Sequence, residues 1–434
     1  MRQQEITQRL FQFIKNSPTA FHTVRKISQE LEDAGYEALK EEDAWEIEPG
    51  GRYYVTRNGS SIIAFCVGER SGKRRFHIVA SHSDSPAFKI KENAELEAGD
   101  RYIRLNTEGY GGMLCSTWLD RPLSVAGRAV IRESGGFRTE LVDFDRDLLL
   151  IPNLSIHMNR KANDGYVYNK QVDMLPLFGG GDCKKGGFKK LLAAELGASV
   201  EAVCASDLYL YNRQEPSVWG QGEEFISAPR LDDLQCAYAA LQGFLDAQED
   251  GKGKAGDGTV RVYACFDNEE VGSGTKQGAG STFLYDVLRR ISIAFGGTEE
   301  DYYRAVAGSF MVSADNAHAV HPNHPEKTDA QNCAYMNEGI VIKSHAGQRY
   351  TSDAVSIAVF KDICERADVP VQFFANRSDE PGGSTLGNIS SGKVSLSAVD
   401  VGLAQLAMHS AYETAGIKDT EYMARAVREF FFFD

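Results

Sequence analysis

The sequence predicts an α/β protein in which a mixed β-sheet, with helices on both faces, carries an inserted β-rich domain. Helical and strand patterns alternate beyond about residue 229, which is typical of a sheet covered by helices. Over residues 89–228, short alternating segments separated by glycines favour β-strands instead. A chain of 434 residues is also longer than one ordinary core, and this length suggests two or three domains.

Residues that could bind a metal lie on both sides of the β-rich segment and must meet in space to form one site. The β-rich segment therefore interrupts a second domain. We therefore expect a discontinuous catalytic domain from residues 1–88 and 229–434, with the inserted domain at 89–228. In the inserted domain we predict strands at 102–105, 124–131 and 207–211 and a helix at 188–196. In the catalytic domain we predict helices at 6–14, 24–31, 233–245, 281–293, 352–366 and 401–415, and strands at 52–55, 62–67, 76–81, 259–266, 309–314, 371–375 and 394–399.

Two short segments have distinctive compositions. Residues 251–258 are rich in glycine and lysine and are expected to form a surface loop, and no helix start follows to make them a phosphate cradle. Residues 430–433 are four consecutive phenylalanines at the end of a helical pattern. Because four exposed phenylalanines would form an adhesive patch, they are expected either to fold into the core or to contact another subunit.

The composition excludes several classes of partner. A net charge of −14 and a pI near 5.2 argue against nucleic acid and anionic membrane surfaces, which such a chain would repel. The first residues have no apolar signal core, and no apolar run approaches the roughly 18 residues of a membrane span. Eight irregularly spaced cysteines suggest buried thiols of a reducing compartment, so we expect a cytoplasmic protein.

Two adjacent glutamates, Glu269 and Glu270, follow the apolar strand pattern at 259–266. Like charges in this position repel each other unless a strong positive charge compensates them. A divalent metal would do so, with one carboxylate as ligand and the other free to take a proton from a water. A solvated turn at the end of a strand is the alternative for an isolated pair.

A second candidate ligand also ends a strand pattern. His82 follows the apolar run at 76–81, at the edge where open α/β sheets place their ligands. Asp84 follows two residues later and can accept the second ring N–H of His82, which would fix its tautomer. A structural histidine is the alternative.

Three further residues are candidate metal ligands, namely Asp232, Asp315 and His409. Asp232, followed by Asp233, opens a helical pattern and could also be a helix cap, whereas Asp315 ends an apolar run. His409 lies within an apolar pattern, where a buried structural role is the main alternative.

Together the candidate ligands suit two metal ions about 3.5–4 Å apart that share one carboxylate. Histidine with carboxylates favours zinc, with manganese or cobalt as alternatives. No Cys-x-x-Cys pair suggests a structural zinc site.

At these residues the sequence resembles the aspartyl aminopeptidase family of dinuclear zinc aminopeptidases, and the resemblance extends from near residue 18 to the carboxyl end. Six segments in the same order support it, namely residues 81–86, 228–234, 268–273, 313–323, 348–350 and 407–410. The resemblance implies a zinc-aminopeptidase-like catalytic domain, with His82, Asp232, Glu270, Asp315 and His409 as metal ligands. It also implies that Asp232 bridges the ions, Glu269 is the general base and Asp84 orients His82. The family has Leu-Asp-Asn where this chain has Leu-Asp-Asp at 231–233, so Asp232 is assigned on the expectation that Asp233 caps the helix.

The resemblance also suggests substrate-binding residues and an assembly. His157 is similar to a histidine that reaches a neighbouring subunit's active site, although an ordinary loop histidine would look the same. Lys343 is similar to a lysine that meets an acidic substrate side chain, and the alternative is a strand lysine. Residues 377–385, which include Asp379, resemble the glycine-rich wall of the substrate pocket or form a plain turn. The family implies a hollow homododecamer that admits short peptides.

These inferences predict a metalloaminopeptidase that uses two metal ions, a bound water and Glu269 as base, with a preference for amino-terminal Asp or Glu. Because the negative chain would repel an acidic substrate, that preference requires local cations such as Lys343, Arg349 or the metals. The alternatives are an aminopeptidase of neutral preference and a related dinuclear carboxypeptidase or deacylase. A non-catalytic assembly protein is the least favoured, because a scaffold has no need for clustered like charges.

Overall fold

A computed structural model describes residues 2–68, 75–249 and 258–433, so most of the loop predicted at 251–258 lies outside the described residues. The chain forms two compact units. The first comprises Met1–Asp84, Pro216–Met408 and Glu413–Asp434, and the second comprises Ser85–Glu215 with His409–Tyr412. The inserted domain was predicted at 89–228, but residues 217–228 pair within a sheet of the first unit.

The α-helices alternate with strands along much of the chain. In chain order they are α1 Arg2–Lys15, α2 Ala20–Asp33, α3 Gly187–Glu195, α4 Leu231–Glu249, α5 Phe283–Ala294, α6 Glu299–Ala307, α7 Ala354–Arg366, α8 Leu386–Ser391 and α9 Asp419–Phe430. The strands are β1 Glu37–Leu39, β2 Arg52–Arg57, β3 Ser61–Val67, β4 Arg75–His82, β5 Ala87–Ala98, β6 Tyr102–Tyr110, β7 Leu123–Glu133, β8 Gly136–Asp143, β9 Leu177–Gly180, β10 Val203–Asn212, β11 Ser217–Trp219, β12 Phe225–Ala228, β13 Thr259–Phe266, β14 Phe310–Ala314, β15 Ala317–His318, β16 Ile340–Lys343, β17 Val371–Phe374, β18 Ser397–Gly402, β19 Ala404–Leu406 and β20 Glu413–Gly416.

The first unit is built on a mixed sheet with strand order β1-β2-β3-β13-β4-β14-β18-β16-β17. Its centre is parallel, because β13, β4, β14 and β18 pair in the same direction. Every residue of β13 is buried, as expected for a strand covered on both faces. One apolar core joins the sheet to α1, α2, α4, α7 and α9, and another joins its opposite face to α5, α6 and α8. The predicted mixed sheet with helices on both faces is therefore confirmed.

The helix predicted at 401–415 is wrong. Residues 404–406 and 413–416 form β19 and β20, which pair with β12 and β15 in a smaller sheet. Ala407 and His409 have φ angles of 56° and 67°, a left-handed backbone that an α-helix does not accommodate. The run of Leu and Ala residues in this segment fits a helical period, but it is equally compatible with buried strands.

The phenylalanine tail packs into the core, which was one of the two expected outcomes. Phe430 and Phe431 are buried. The ring of Phe430 stacks on His77 with 5.1 Å between centroids and lies 6.0 Å from Phe310. The guanidinium of Arg261 lies 5.1 Å from the ring centre of Phe432, and its Nε donates to the carbonyl of Phe431 at 3.1 Å. The end of α9 is thus fixed against the sheet.

The second unit is an antiparallel sheet with strand order β8-β7-β10-β5-β6-β9. Helix α3 packs Phe188 and Leu192 into its core. Residues 152–173 form an irregular exposed segment that contains His157. Several apolar side chains are exposed in this segment, namely Leu154, Ile156, Met158, Val167 and Val172.

Candidate metal centre

Three neighbouring strands of the first unit bring the candidate ligands together. Strand β4 ends at His82, β13 ends just before Asp267, and β14 ends just before Asp315. The strands are parallel, and Phe266 pairs with His82 in register. Because the carboxyl ends of parallel strands share one sheet edge, residues distant in sequence converge there.

His82 lies at the centre of this group and is buried. Its Nε2 lies 3.4 Å from Oδ1 of Asp232 and 3.9 Å from Oδ1 of Asp315. Its Nδ1 lies 3.1 Å from the backbone oxygen of Asp84 and 3.4 Å from Oδ1 of Asp84. The two contacts of Nδ1 favour a proton on that nitrogen, which leaves Nε2 as the nitrogen that can bind a metal.

Asp84 also holds the turn that carries the glutamate pair. Its Oδ1 accepts the backbone N–H of Glu269 at 3.1 Å, and its Oδ2 accepts the backbone N–H of Glu270 at 3.2 Å. The sequence predicted the contact with His82 but gave no sign of this second one. A single carboxylate thus fixes both the histidine and the turn.

The start of α4 supplies two more carboxylates. Asp232 and Asp233 have non-helical backbone angles. The backbone N–H of Asp232 donates to Oε2 of Glu413 at 2.9 Å, and Oδ2 of Asp233 accepts the backbone N–H of His82 at 3.1 Å. Asp233, expected to cap the helix, instead turns its carboxylate towards β4. Ligand atoms of His82, Asp232, Asp233 and Asp315 all lie within 4.8 Å of one another.

The electrostatics of this edge are dominated by buried negative charge. Burial, together with the carboxylates of Asp315, Asp84 and Asp232, raises the pKa of Glu269 to about 8, while His82 opposes this shift. Burial and Asp232 raise the pKa of Glu270 well above its usual range.

Burial and neighbouring charges also shift the pKa values of Asp233 and His82. Burial raises the pKa of Asp233, and Asp315 adds to the rise. Burial disfavours the charged form of His82, but the surrounding carboxylates outweigh it and raise the pKa well above its usual value. Without an added cation, several of these acids are therefore favoured in the protonated form.

These residues fit a divalent metal such as zinc. One imidazole nitrogen and several carboxylate oxygens are the donors that zinc accepts, and two or more positive charges would balance the clustered acids. The arrangement can hold a cation among His82, Asp232 and Asp315. It also presents a carboxylate of high pKa on the adjacent turn, which suits a group that exchanges protons.

Lys343 lies beside this cluster, but its charge is balanced within the protein. The side chain is buried, and its Nζ donates to the backbone oxygens of Asp315 at 2.8 Å and Asn316 at 3.2 Å. Nζ also lies 3.8 Å from Oδ2 of Asp315. Although burial disfavours its charge, Asp315 and neighbouring groups raise the pKa of Lys343.

Three other predicted site residues, His409, His157 and Asp379, each have surroundings of their own. His409 belongs to the second compact unit, where its Nδ1 lies 3.1 Å from the oxygen of Gly112. His157 is exposed in the second unit. Asp379 is exposed in the first unit and pairs with Arg377, with Oδ1 2.8 Å from Nε and Oδ2 2.6 Å from Nη2. Glu413, which orients Asp232, was missed because no motif marks it.

A buried histidine and several carboxylates at one sheet edge, with Glu269 on the adjacent turn, are typical of the class of metal-dependent hydrolases. The sequence pattern of the family described as Aminopeptidase I zinc metalloprotease (M18) matches residues 13–431. A protein named probable M18 family aminopeptidase 2 from Clostridium acetobutylicum is 46% identical over 433 residues, which cover 98% of each chain.

Solved structures agree with this match. The chain is similar to Ape4, solved as a complex of Ape4 and Nbr1, with a TM-score of 0.94 and 35% identity over 99% of this chain and 86% of that one. It is also similar to the S. cerevisiae mApe1 dodecamer, with a TM-score of 0.86 and 27% identity over 99% of this chain and 97% of that one. The chain belongs to the M18 family of zinc metalloaminopeptidases.

Proposed function

We propose that this metalloaminopeptidase removes amino-terminal residues from short peptides, with Asp and Glu preferred. The observation that carries the proposal is the pairing of a buried histidine–carboxylate cluster with Glu269 on a turn fixed by Asp84. Two divalent ions, zinc first and manganese or cobalt as alternatives, would be held by His82, Asp232, Glu270, Asp315 and His409, with Asp232 between them. Asp233 is a further donor within the same cluster.

Each protein group has a defined task in this proposal. When bound, the ions polarise the scissile carbonyl, hold the free α-amine and acidify the attacking water. Glu269 accepts a proton from that water at its carboxylate and later delivers it to the leaving nitrogen. Asp84 keeps His82 in the tautomer that exposes Nε2 and holds the backbone of Glu269 in place.

A preference for acidic residues requires a cation that has N–H donors beyond those used in contacts within the protein. Lys343 already directs its ammonium at two backbone oxygens. Arg349 is exposed on the loop after β16, and its Nη1 donates to the oxygen of Gly382 at 2.8 Å. A guanidinium has five N–H donors, so one bond to Gly382 is compatible with a bidentate contact to a carboxylate. We therefore propose that Arg349, beside the glycine-rich segment that contains Asp379, recognises the acidic side chain together with Lys343.

The substrate class is tested with matched peptides. Peptides that begin with Asp, Glu or Leu are compared with the same peptides acetylated at the amine, in zinc, manganese or cobalt. We expect hydrolysis only with a free amine and a higher kcat/KM for Asp and Glu. Cleavage of the acetylated peptides would favour the deacylase or carboxypeptidase alternative. Equal values for Asp and Leu would favour a neutral aminopeptidase.

The assembly proposed for the chain is a homododecamer, which is the state named for the similar mApe1 structure. The exposed apolar side chains around His157, such as Leu154, Ile156 and Met158, support a subunit contact in the second unit. Light scattering should show one large species, and a fully active monomer would contradict this proposal.

The described helices include none with the length and apolar character needed to cross a membrane. We propose a cytoplasmic location because all eight cysteines are free thiols. Fractionation of cells should recover the activity with cytoplasmic markers, and its recovery outside the cytoplasm would contradict the proposal.

A further inference from the structure

Asp400 is a buried residue of β18 whose carboxylate contacts two loops of the first unit. Its Oδ2 accepts the backbone N–H of Thr351, in the first loop, residues 344–353, which joins β16 to α7. Its Oδ1 accepts the hydroxyl of Thr385 at 2.8 Å, at the end of the second loop, residues 375–385, which joins β17 to α8. One side chain therefore ties both loops to the sheet.

The surroundings of Asp400 leave its carboxylate little freedom to move. Its backbone N–H donates to the hydroxyl of Ser352 at 2.9 Å, which adds a second link to the first loop. Helix α8 lies so close that a Cβ at Gly387 would be 2.6 Å from Oδ1 of Asp400. Thr385 precedes this helix, where a threonine hydroxyl commonly caps the first turn, but here it donates to Asp400. The positions of the two loops are thus coupled to a rigid part of the sheet.

The two loops adjoin the cations that are proposed to meet an acidic substrate side chain. Arg349 is exposed in the first loop, and its Nη1 donates to the oxygen of Gly382 in the second loop at 2.8 Å. Lys343 ends β16, immediately before the first loop, and lies opposite Asp400 in the antiparallel pair of β16 and β18. The placement of Arg349 relative to Lys343 therefore depends on how the first loop is held.

We propose that Asp400 is a positioning residue for substrate specificity. By binding Thr351 and Thr385, it holds the two loops so that Arg349 and Lys343 can meet one substrate carboxylate together. The inference rests on the proposed function in one respect, because it takes these two cations as the groups that recognise the acidic side chain. Its expected effect is on kcat/KM for acidic peptides, because a misplacement of about 1 Å can cost up to roughly 10²-fold.

The experiment removes the contacts of Asp400 with conservative substitutions. Asp400→Asn keeps the shape of the side chain but replaces one accepting oxygen by an NH₂ group. Thr385→Val is close in size and lacks the hydroxyl, whereas Thr385→Ser retains it. Thr7→Val is the matched control, because the buried hydroxyl of Thr7 also donates at 2.8 Å, to a backbone oxygen within α1. Circular dichroism establishes the fold of each variant.

The measured quantity is the ratio of kcat/KM for peptides that begin with Asp over those that begin with Leu. We expect Asp400→Asn and Thr385→Val to lower this ratio by roughly tenfold, with kcat/KM for the Leu peptide within about twofold of the wild type. Thr385→Ser should restore the wild-type ratio, and Thr7→Val should leave it unchanged.

An unchanged Asp/Leu ratio in Thr385→Val or in folded Asp400→Asn would overturn the proposal. An equal loss for both peptides, or a folded Thr385→Ser that does not restore the ratio, would also overturn it, because either result indicates a general structural role. If Asp400→Asn does not fold, Thr385→Val decides; if neither folds while Thr7→Val does, the contact is required for folding and the positioning role is overturned. A wild type that cleaves the Asp and Leu peptides equally, or neither of them, would instead contradict the proposed function.

Discussion

The two ends of strands β4, β13 and β14 have opposite electrostatic character. Near the amino ends, His77, Arg261 and Phe310 pack against the phenylalanine tail, and the buried cation is bound to two carbonyl oxygens. At the carboxyl ends, acidic side chains surround His82, and the pKa of Glu269 and the acids near it is raised. At the amino ends, carbonyl oxygens of the protein balance the buried charge of Arg261. At the carboxyl ends, the clustered acids require a cation.

The difference indicates which end serves stability and which serves chemistry. Burying like charges together costs free energy, so their clustering is expected where a metal or a reaction requires it. Substitutions at the carboxyl ends should therefore change turnover or metal content, and those at the amino ends should change the free energy of unfolding.

The largest effect is expected for Glu269→Gln. The amide cannot accept the proton of the attacking water, so kcat should fall by about 10²–10⁴. Zinc content should stay at the wild-type level, because Glu269 is proposed as the base and not as a ligand. Glu270→Gln is the matched control and should lose zinc. Loss of zinc from Glu269→Gln would refute the assigned roles.

At the amino ends, Phe430→Ala should lower the free energy of unfolding by about 3–5 kcal/mol, because it leaves a cavity between His77 and Phe310. Denaturant unfolding of the zinc-free protein measures the loss. The zinc affinity and kcat of the folded variant should remain at the wild-type level. A variant of wild-type stability, or one with weakened zinc binding, would break the proposed division.

Arg349→Met tests the specificity assignment. Loss of a charge-assisted contact with the substrate carboxylate should lower the Asp/Leu ratio of kcat/KM by roughly 10–100-fold, in line with about 1–3 kcal/mol. The value for the Leu peptide should change little. An unchanged ratio would remove Arg349 from the substrate pocket, and Arg377→Met is a suitable exposed control.

The smallest effect concerns a buried carboxylate outside the cluster. Burial raises the pKa of Asp419 to about 7, although it accepts the backbone N–H groups of Asn337 and Gly339. Because folding favours its protonated form, its stabilising contribution is present below about pH 4 and is lost as the pH rises through about 7. The Tm of the zinc-free wild type should therefore fall relative to Asp419→Asn between pH 4 and 7. A difference that does not vary with pH would contradict this shift.

Much of the first unit could be predicted because its elements have strong local patterns. The apolar strand at 259–266 agrees with β13, and the helix predicted at 352–366 agrees with α7 within two residues. The segment around His409 failed because its apolar residues fit a helical period while the backbone turns left-handed at Ala407 and His409. The spacing of apolar residues along a sequence does not reveal such left-handed turns.

The contacts within the candidate site could also be predicted only in part from the sequence. The approach of His82 and Asp315 followed from strand ends meeting at one edge, which parallel pairing makes predictable. The contacts of Lys343 with the Asp315 turn, and of Asp84 with the glutamate turn, depend on side-chain paths across neighbouring strands. No spacing along the chain records those paths.

We propose that the carboxyl ends of these strands and the start of α4 form a two-metal centre in which Asp232 is the shared ligand. The most direct measurement is the zinc content per chain of the wild type and Asp232→Ala, with Asp286→Ala, whose carboxylate on α5 pairs with Arg57, as control. We expect about two ions in the wild type and the control, and at most one in Asp232→Ala, because the shared ligand is lost. Two ions retained by Asp232→Ala, or none bound by the wild type, would contradict the claim.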